Sequence, residues 1–113
     1  MVDYILFLNK LGKTHQINDY VPNNHIAQMF EEVIDAMIYE LYFKEAFKKV
    51  QIAFMKYAKI SFKSIDGKGK EEKINIIHSG YQELRKKENE IRQNLKLMDI
   101  LLADLIMPIK TAK

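Results

Sequence analysis

Apolar residues recur along nearly the whole chain at intervals of three and four, the spacing that lines one face of a helix. The clearest series runs Ile26, Met29, Phe30, Val33, Ile34, Met37, Ile38, Leu41, with Glu31, Glu32 and Asp35 on the other side. Pro22-Asn23-Asn24 stands just ahead. It supplies a turn and a side-chain oxygen able to cap free N–H groups, so the pattern predicts a helix over about 24–42. A second series follows, Phe43, Ala46, Phe47, Val50, Phe54, Tyr57, and no Gly or Pro falls between Asn24 and Asp66. At about 100° per residue, its apolar face points about 200° away from the first. A break within 42–44 would let both faces turn to one core. An unbroken rod would need a different partner for each half.

Residues 61–70 read as a loop, with Asp66-Gly67 as its turn and Gly69 close behind. A third helix is predicted from about Glu71, where two acids suit an N-terminus, with the stripe Ile74, Ile77, Tyr81, Leu84. Gly80 inside it costs up to about 1 kcal/mol relative to Ala. A charged stretch, 85–90, precedes the last series, Ile91, Leu95, Met98, Leu102, Leu105, and Pro108 is expected to end it. At the front, residues 2–11 form a short apolar helix that Gly12 stops. The fold class expected is all-α, a four-to-five-helix bundle, in a single domain over 1–113. No repeat at a solenoid period and no low-complexity tract interrupts it.

At 113 residues the chain suits one modest core, and 48% hydrophobic content excludes disorder for most of it. The absence of Cys removes disulfides, a thiolate nucleophile and Cys-based zinc sites, and it fits a reducing compartment. No apolar run approaches a membrane span, and residues 1–11 carry Asp3 and no basic leader. A soluble cytoplasmic protein without a membrane partner is expected.

Histidines 15, 25 and 78 stand singly, without the spacing of a ligand pair. Asp66-Gly67-Lys68-Gly69-Lys70 lacks the phosphate-loop pattern. Asp66 with Glu71, Glu72 and Lys73 loosely imitates the carboxylate-and-lysine set of a metal-dependent nuclease. That group opens a helix, however, and reads as a solvated loop with acids on the N-terminal dipole. Arg85 and Arg92 have no following His, which disposes of an Arg–His nuclease pattern. Nothing in the residues themselves points to an enzyme.

The net charge of +3 is uneven: 1–43 carries −4, 44–73 carries +5 and 74–113 carries +2. If 44–63 were one helix, Lys44, Lys48, Lys49, Lys56, Lys59 and Lys63 would fall within about 140° of arc, opposite Phe47 and Phe54. Two readings stay open. Lysines can lay their stems over a wide apolar face. Equally, several point charges on a rigid element suit the nucleic-acid backbone, without base specificity.

Residues 30–43, FEEVIDAMIYELYF, resemble a segment found near the C-terminus of bacterial adenine-specific DNA methyltransferases, including fused type IIG restriction–modification enzymes. The matching positions are Val33, Ile34, Asp35, Ile38, Tyr39, Glu40, Leu41 and Tyr42. Tyr4-Ile5-Leu6-Phe7-Leu8 is similar to the lead-in of such proteins. Residues 47–57, Asn89-Glu90-Ile91-Arg92 and Met98-Asp99-Ile100 are similar to their helical tail.

Those enzymes carry an Asn-Pro-Pro-Tyr-type catalytic motif and a glycine-rich cofactor motif. Neither is present here, where the only prolines are Pro22 and Pro108. The resemblance therefore implies a non-catalytic accessory region, a C-terminal fragment of a larger protein that helps hold DNA or brace other domains. S-adenosylmethionine and Mg would belong to that parent, and no catalytic, cofactor or metal residue carries over. The DNA-contact candidates are Lys48, Lys49, Lys56, Lys59 and Lys63. Asp35 and Tyr39, at i and i+4 on the polar side of the best helix, are docking candidates for a neighbouring domain or subunit. Tyr39 is expected to be partly exposed, or else to cover the bundle's edge. The competing class is a stand-alone helical interaction module, a homodimer through Met- and Phe-rich faces.

Overall fold

The computed structural model describes residues 1–12 and 15–111. They are all-helical: α1 (Val2–Leu11), α2 (Asn23–Tyr42), α3 (Lys44–Lys49), α4 (Met55–Ser61), α5 (Lys70–Arg85), α6 (Glu90–Leu101) and α7 (Ala103–Thr111). The expected four or five helices become seven because two of the expected helices are each divided. Among the described residues no helix is long and apolar enough to cross a membrane.

The break expected within 42–44 is present. Tyr42 closes α2, and Phe43 leaves helical geometry at φ −119°, ψ 46° before α3 begins. α1 packs chiefly on α2, where the Tyr4 and Phe30 rings meet edge to face with centroids 5.2 Å apart. Phe62, just past α4, stands edge-on to both, 6.3 Å from Tyr4 and 5.7 Å from Phe30. This trio explains Gly80: a Cβ there would lie 3.2 Å from the Phe62 ring and 3.6 Å from Tyr4. The glycine that weakens α5 as a helix is what lets α5 approach the ring.

The burial of α2 corrects the expected stripe. Ile26, Phe30 and Val33 are buried as expected, but further on Ala36 and Tyr39 are covered while Ile38, Leu41 and Tyr42 are exposed. Tyr39 is 5% exposed, so the partial exposure expected for it does not hold. At 100° per residue Tyr39 and Leu41 lie about 160° apart. The side of α2 that faces α6 is thus the one carrying Asp35 and Tyr39 rather than the one with the longest apolar run. Tyr39 brings enough ring area to make that side burial-competent.

Asn23 does not cap α2 with its side chain. It is 2% exposed and holds the preceding loop: its Oδ1 accepts from Ile17 N, and its Nδ2 donates to the Gly12 and His15 carbonyls at 3.0 and 2.9 Å. Its own N–H donates to Gln16 Oε1 at 2.8 Å. Buried, with its amide fully engaged, Asn23 ties α2 to the end of α1.

Pro108 does not end the last helix. The interruption falls at Leu102, φ −117°, ψ 25°, and α7 runs through Pro108 to Thr111. A proline there withholds one ladder hydrogen bond from the Asp104 carbonyl. Asp104 is exposed, so water can serve that carbonyl. Leu102 and Ile106 remain buried and continue the core line of Ile91 and Met98 across the interruption.

Candidate nucleic-acid interface

The lysine-bearing segment is not one helix, so the single 140° arc drawn on a continuous wheel does not exist. α3 ends in a Schellman arrangement: Ile52 N donates to Phe47 O at 3.0 Å and Gln51 N to Lys48 O at 3.2 Å. Gln51 takes the left-handed conformation, φ 60°, that such an ending requires and that glycine usually fills. Phe47 and Ile52 are both buried, the hydrophobic contact that accompanies the motif. The chain then turns inward through Phe54 and restarts as α4.

That restart is held from a distance. Glu40, on the last turn of α2, accepts from Phe54 N at 2.8 Å and Met55 N at 3.1 Å, capping the free N–H groups that open α4. Asn94 of α6, 9% exposed, donates from Nδ2 to the Ala53 carbonyl at 3.0 Å. Two polar side chains, 14 and 41 residues away in sequence, decide where the segment bends.

The bend gathers part of the lysine set. Lys44, Lys48 and Lys56 line a cleft between the end of α2, α3 and α4, together with Leu41 and Gln51. Glu40 and Glu45 lie in the same cleft, Glu40 with its carboxylate turned to the α4 amides. Lys56 Nζ lies 4.9 Å from the centroid of the Tyr57 ring. Lys49 and Lys48 border a shallow depression beside Glu45 and Ala46. Lys59 is exposed on α4 and Lys63 just beyond it, where the Lys63 carbonyl accepts the Tyr4 hydroxyl. All five DNA-contact candidates are exposed, and none of them forms an ion pair among the described residues.

Asp35 and Tyr39 line a groove with Glu32 of α2, Leu95, Met98 and Asp99 of α6, and Lys110 of α7. Lys110 closes part of it by pairing with Asp99 at 2.8 Å. No group of three His, Asp or Glu able to hold a metal occurs among the described residues. His78 is engaged with Asn18 Nδ2 at 3.2 Å, and Asp66 N donates to Ser64 Oγ within its turn.

At the α1 end, the Asp3 carboxylate accepts from Ile65 N at 3.3 Å and stands 3.0 Å from the terminal ammonium. Burial works to raise its pKa, but the hydrogen bonds from that ammonium and from the Ile65 and Tyr4 amides outweigh burial and hold it below the usual value. Burial, with the neighbouring Asp3 charge, pushes the Tyr4 phenol up to about 12.

Sequence reasoning missed a second groove, bordered by Arg85 and Arg92 between α2, α5 and α6. The signal available was that these are the only arginines in a chain that otherwise uses lysine. No family model, curated protein or solved structure matches this chain.

Proposed function

We propose that the chain is a non-catalytic accessory region of a bacterial adenine-specific DNA methyltransferase of the restriction–modification kind, bracing neighbouring domains and holding duplex DNA by its phosphates. The carrying observation is the surface at the end of the FEEVIDAMIYELYF segment. There Lys44, Lys48 and Lys56 share a cleft with Leu41, and Ile38 and Tyr42 stand exposed on the same part of α2. Apolar side chains left uncovered beside unpaired cations suit a face that meets both another domain and a polyanion. Lysines on short helices read no base, so the DNA contact is independent of sequence. S-adenosylmethionine and Mg would bind elsewhere in such an enzyme.

The test is anisotropy of a fluorescent duplex titrated with the chain at low and physiological salt. Replacing Lys48, Lys49 and Lys56 by Gln should weaken binding equally for every duplex, and each lost phosphate contact should flatten the log K against log salt slope by about 0.9. The fold should hold, since exposed changes of this kind move stability by no more than about 0.5 kcal/mol each. No binding at low salt would remove the DNA part of the reading.

A second reading, a helical dimerisation module, is favoured by Leu97, Ile100, Leu101 and Leu105, all exposed along α6 and α7. Sedimentation equilibrium separates the two. A dimer lost on Leu97→Ser with Leu101→Ser would favour it.

A further inference from the structure

Arg85 and Arg92 border one groove of about 660 Å³, Arg85 exposed and Arg92 half-buried. α5 ends at Arg85, and the turn to α6 is closed by Lys86 N donating to Glu83 O and Asn89 N to Lys86 O. Asn89 caps α6 by accepting from Arg92 N at 3.1 Å. From that capped position the Arg92 side chain reaches back across the turn and donates from Nη1 to the Arg85 carbonyl. The Arg85 guanidinium lies 5.7 Å from the centroid of the Tyr81 ring. Neither forms an ion pair among the described residues. One guanidinium tied across the turn and a second beside an aromatic ring, both with donors to spare and no carboxylate on them, make an anion site suited to phosphate.

The same groove carries an aromatic surface. Tyr20 is 93% exposed, yet its backbone is pinned: Tyr20 N and Val21 N donate to Asn18 Oδ1 at 2.8 and 3.1 Å, and Asn18 itself is tied to His78. A bare ring on a fixed loop, at the border of a groove that Met29 and Leu95 also line, is a stacking platform. Glu32 is the one acid at the groove. Lys96 adds a third cation but also faces Asp35 and Asp99 in the adjoining groove, so the cationic end is the one with the arginines.

We infer that this groove is a nucleotide site for a single nucleic-acid strand, with a phosphate on Arg85 and Arg92 and an unstacked base against Tyr20. Duplex bases are already stacked and cannot offer a face to Tyr20, whereas a single strand can. A free nucleotide has the same chemistry. The groove shares no lining residue with the lysine cleft, so this inference stands or falls apart from the duplex reading.

The experiment is anisotropy of fluorescein-labelled octathymidylate with the full chain at low salt. Binding is expected, weakened about 5-fold or more by Tyr20→Ala and retained by Tyr20→Phe, which keeps the ring. Arg85→Gln should weaken it and flatten the salt slope by about 0.7, the value for one single-strand phosphate. Arg92→Lys, which keeps charge but not the fork, should weaken it while circular dichroism shows the helices intact. Lys68→Gln with Lys70→Gln, exposed lysines at neither cleft, should leave it unchanged. No binding, or binding indifferent to both Tyr20→Ala and Arg85→Gln, overturns the site. Displacement by adenosine monophosphate at lower concentration than by unlabelled octathymidylate would overturn the strand as its occupant.

Discussion

α2 and the segment that follows it are built from equally apolar sequence, yet one is a single 20-residue helix and the other two short helices around a bend. The difference lies in what each has beside it. α2 has α1 packed on it, with α5 and α6 also against it. Residues 44–61 have no such continuous neighbour. They bury Phe47, Ile52, Phe54 and Ala58 by folding back on the core, and the backbone groups freed at the bend are served by Glu40 and Asn94. A continuous neighbour permits a long helix, and a discontinuous one makes remote polar caps necessary.

The largest expected effect strikes the α2 side. Phe30→Ala removes the ring shared by Tyr4 and Phe62, and urea unfolding should show a loss of about 3–5 kcal/mol. On the other side, Glu40→Gln should cost about 1.5–2 kcal/mol, because charge-assisted bonds to two amides are replaced by neutral ones at best. Hydrogen exchange separates this from a global effect: the amides of α4 should exchange faster while those of α2 keep pace with global unfolding. If both helices lose protection together, the bend is not a distinct unit.

Tyr4 sharpens the comparison through pH. Its phenol titrates near 10 when unfolded and at about 12 when folded, so its contribution is complete below pH 10 and is lost as pH rises from 10 to 12. Tyr4→Phe should cost about 1 kcal/mol for the lost bond to the Lys63 carbonyl and should flatten the alkaline limb of a thermal-stability profile. The smallest effect is a gain. Gln51→Gly relieves a left-handed residue at the end of α3 and should raise stability by about 0.5–1 kcal/mol in the same urea assay.

The candidate site divides along similar lines. The exposure of Lys48, Lys49, Lys56, Lys59 and Lys63 was legible, because a run of lysines opposite phenylalanines can hardly face inward. Their grouping was not: it rested on one continuous helix, and the bend at Gln51 brings Lys56 back toward Lys44 and Lys48 instead. Asp35 and Tyr39 were marked by the resemblance and by their i, i+4 spacing. Their half-buried and buried state follows from α6 arriving on that side of α2. Arg85, Arg92 and Tyr20 could not be joined in sequence, being brought together by a loop pinned through Asn18 and Asn23 and by a turn between two helices.

By itself the sequence determined that the chain is helical, that a helix over about 24–42 starts behind Pro22 and breaks within 42–44, and that another starts near Glu71. These are local matters, decided by the spacing of apolar residues, by a phase jump and by helix-start acids. Only the tertiary structure decided which side of α2 is covered, where the lysine segment bends, why Gly80 is tolerated and how the last helix carries Pro108. Periodicity tells a helix which of its sides are apolar. It does not say which neighbour will arrive, and burial, capping and clefts are properties of that pair.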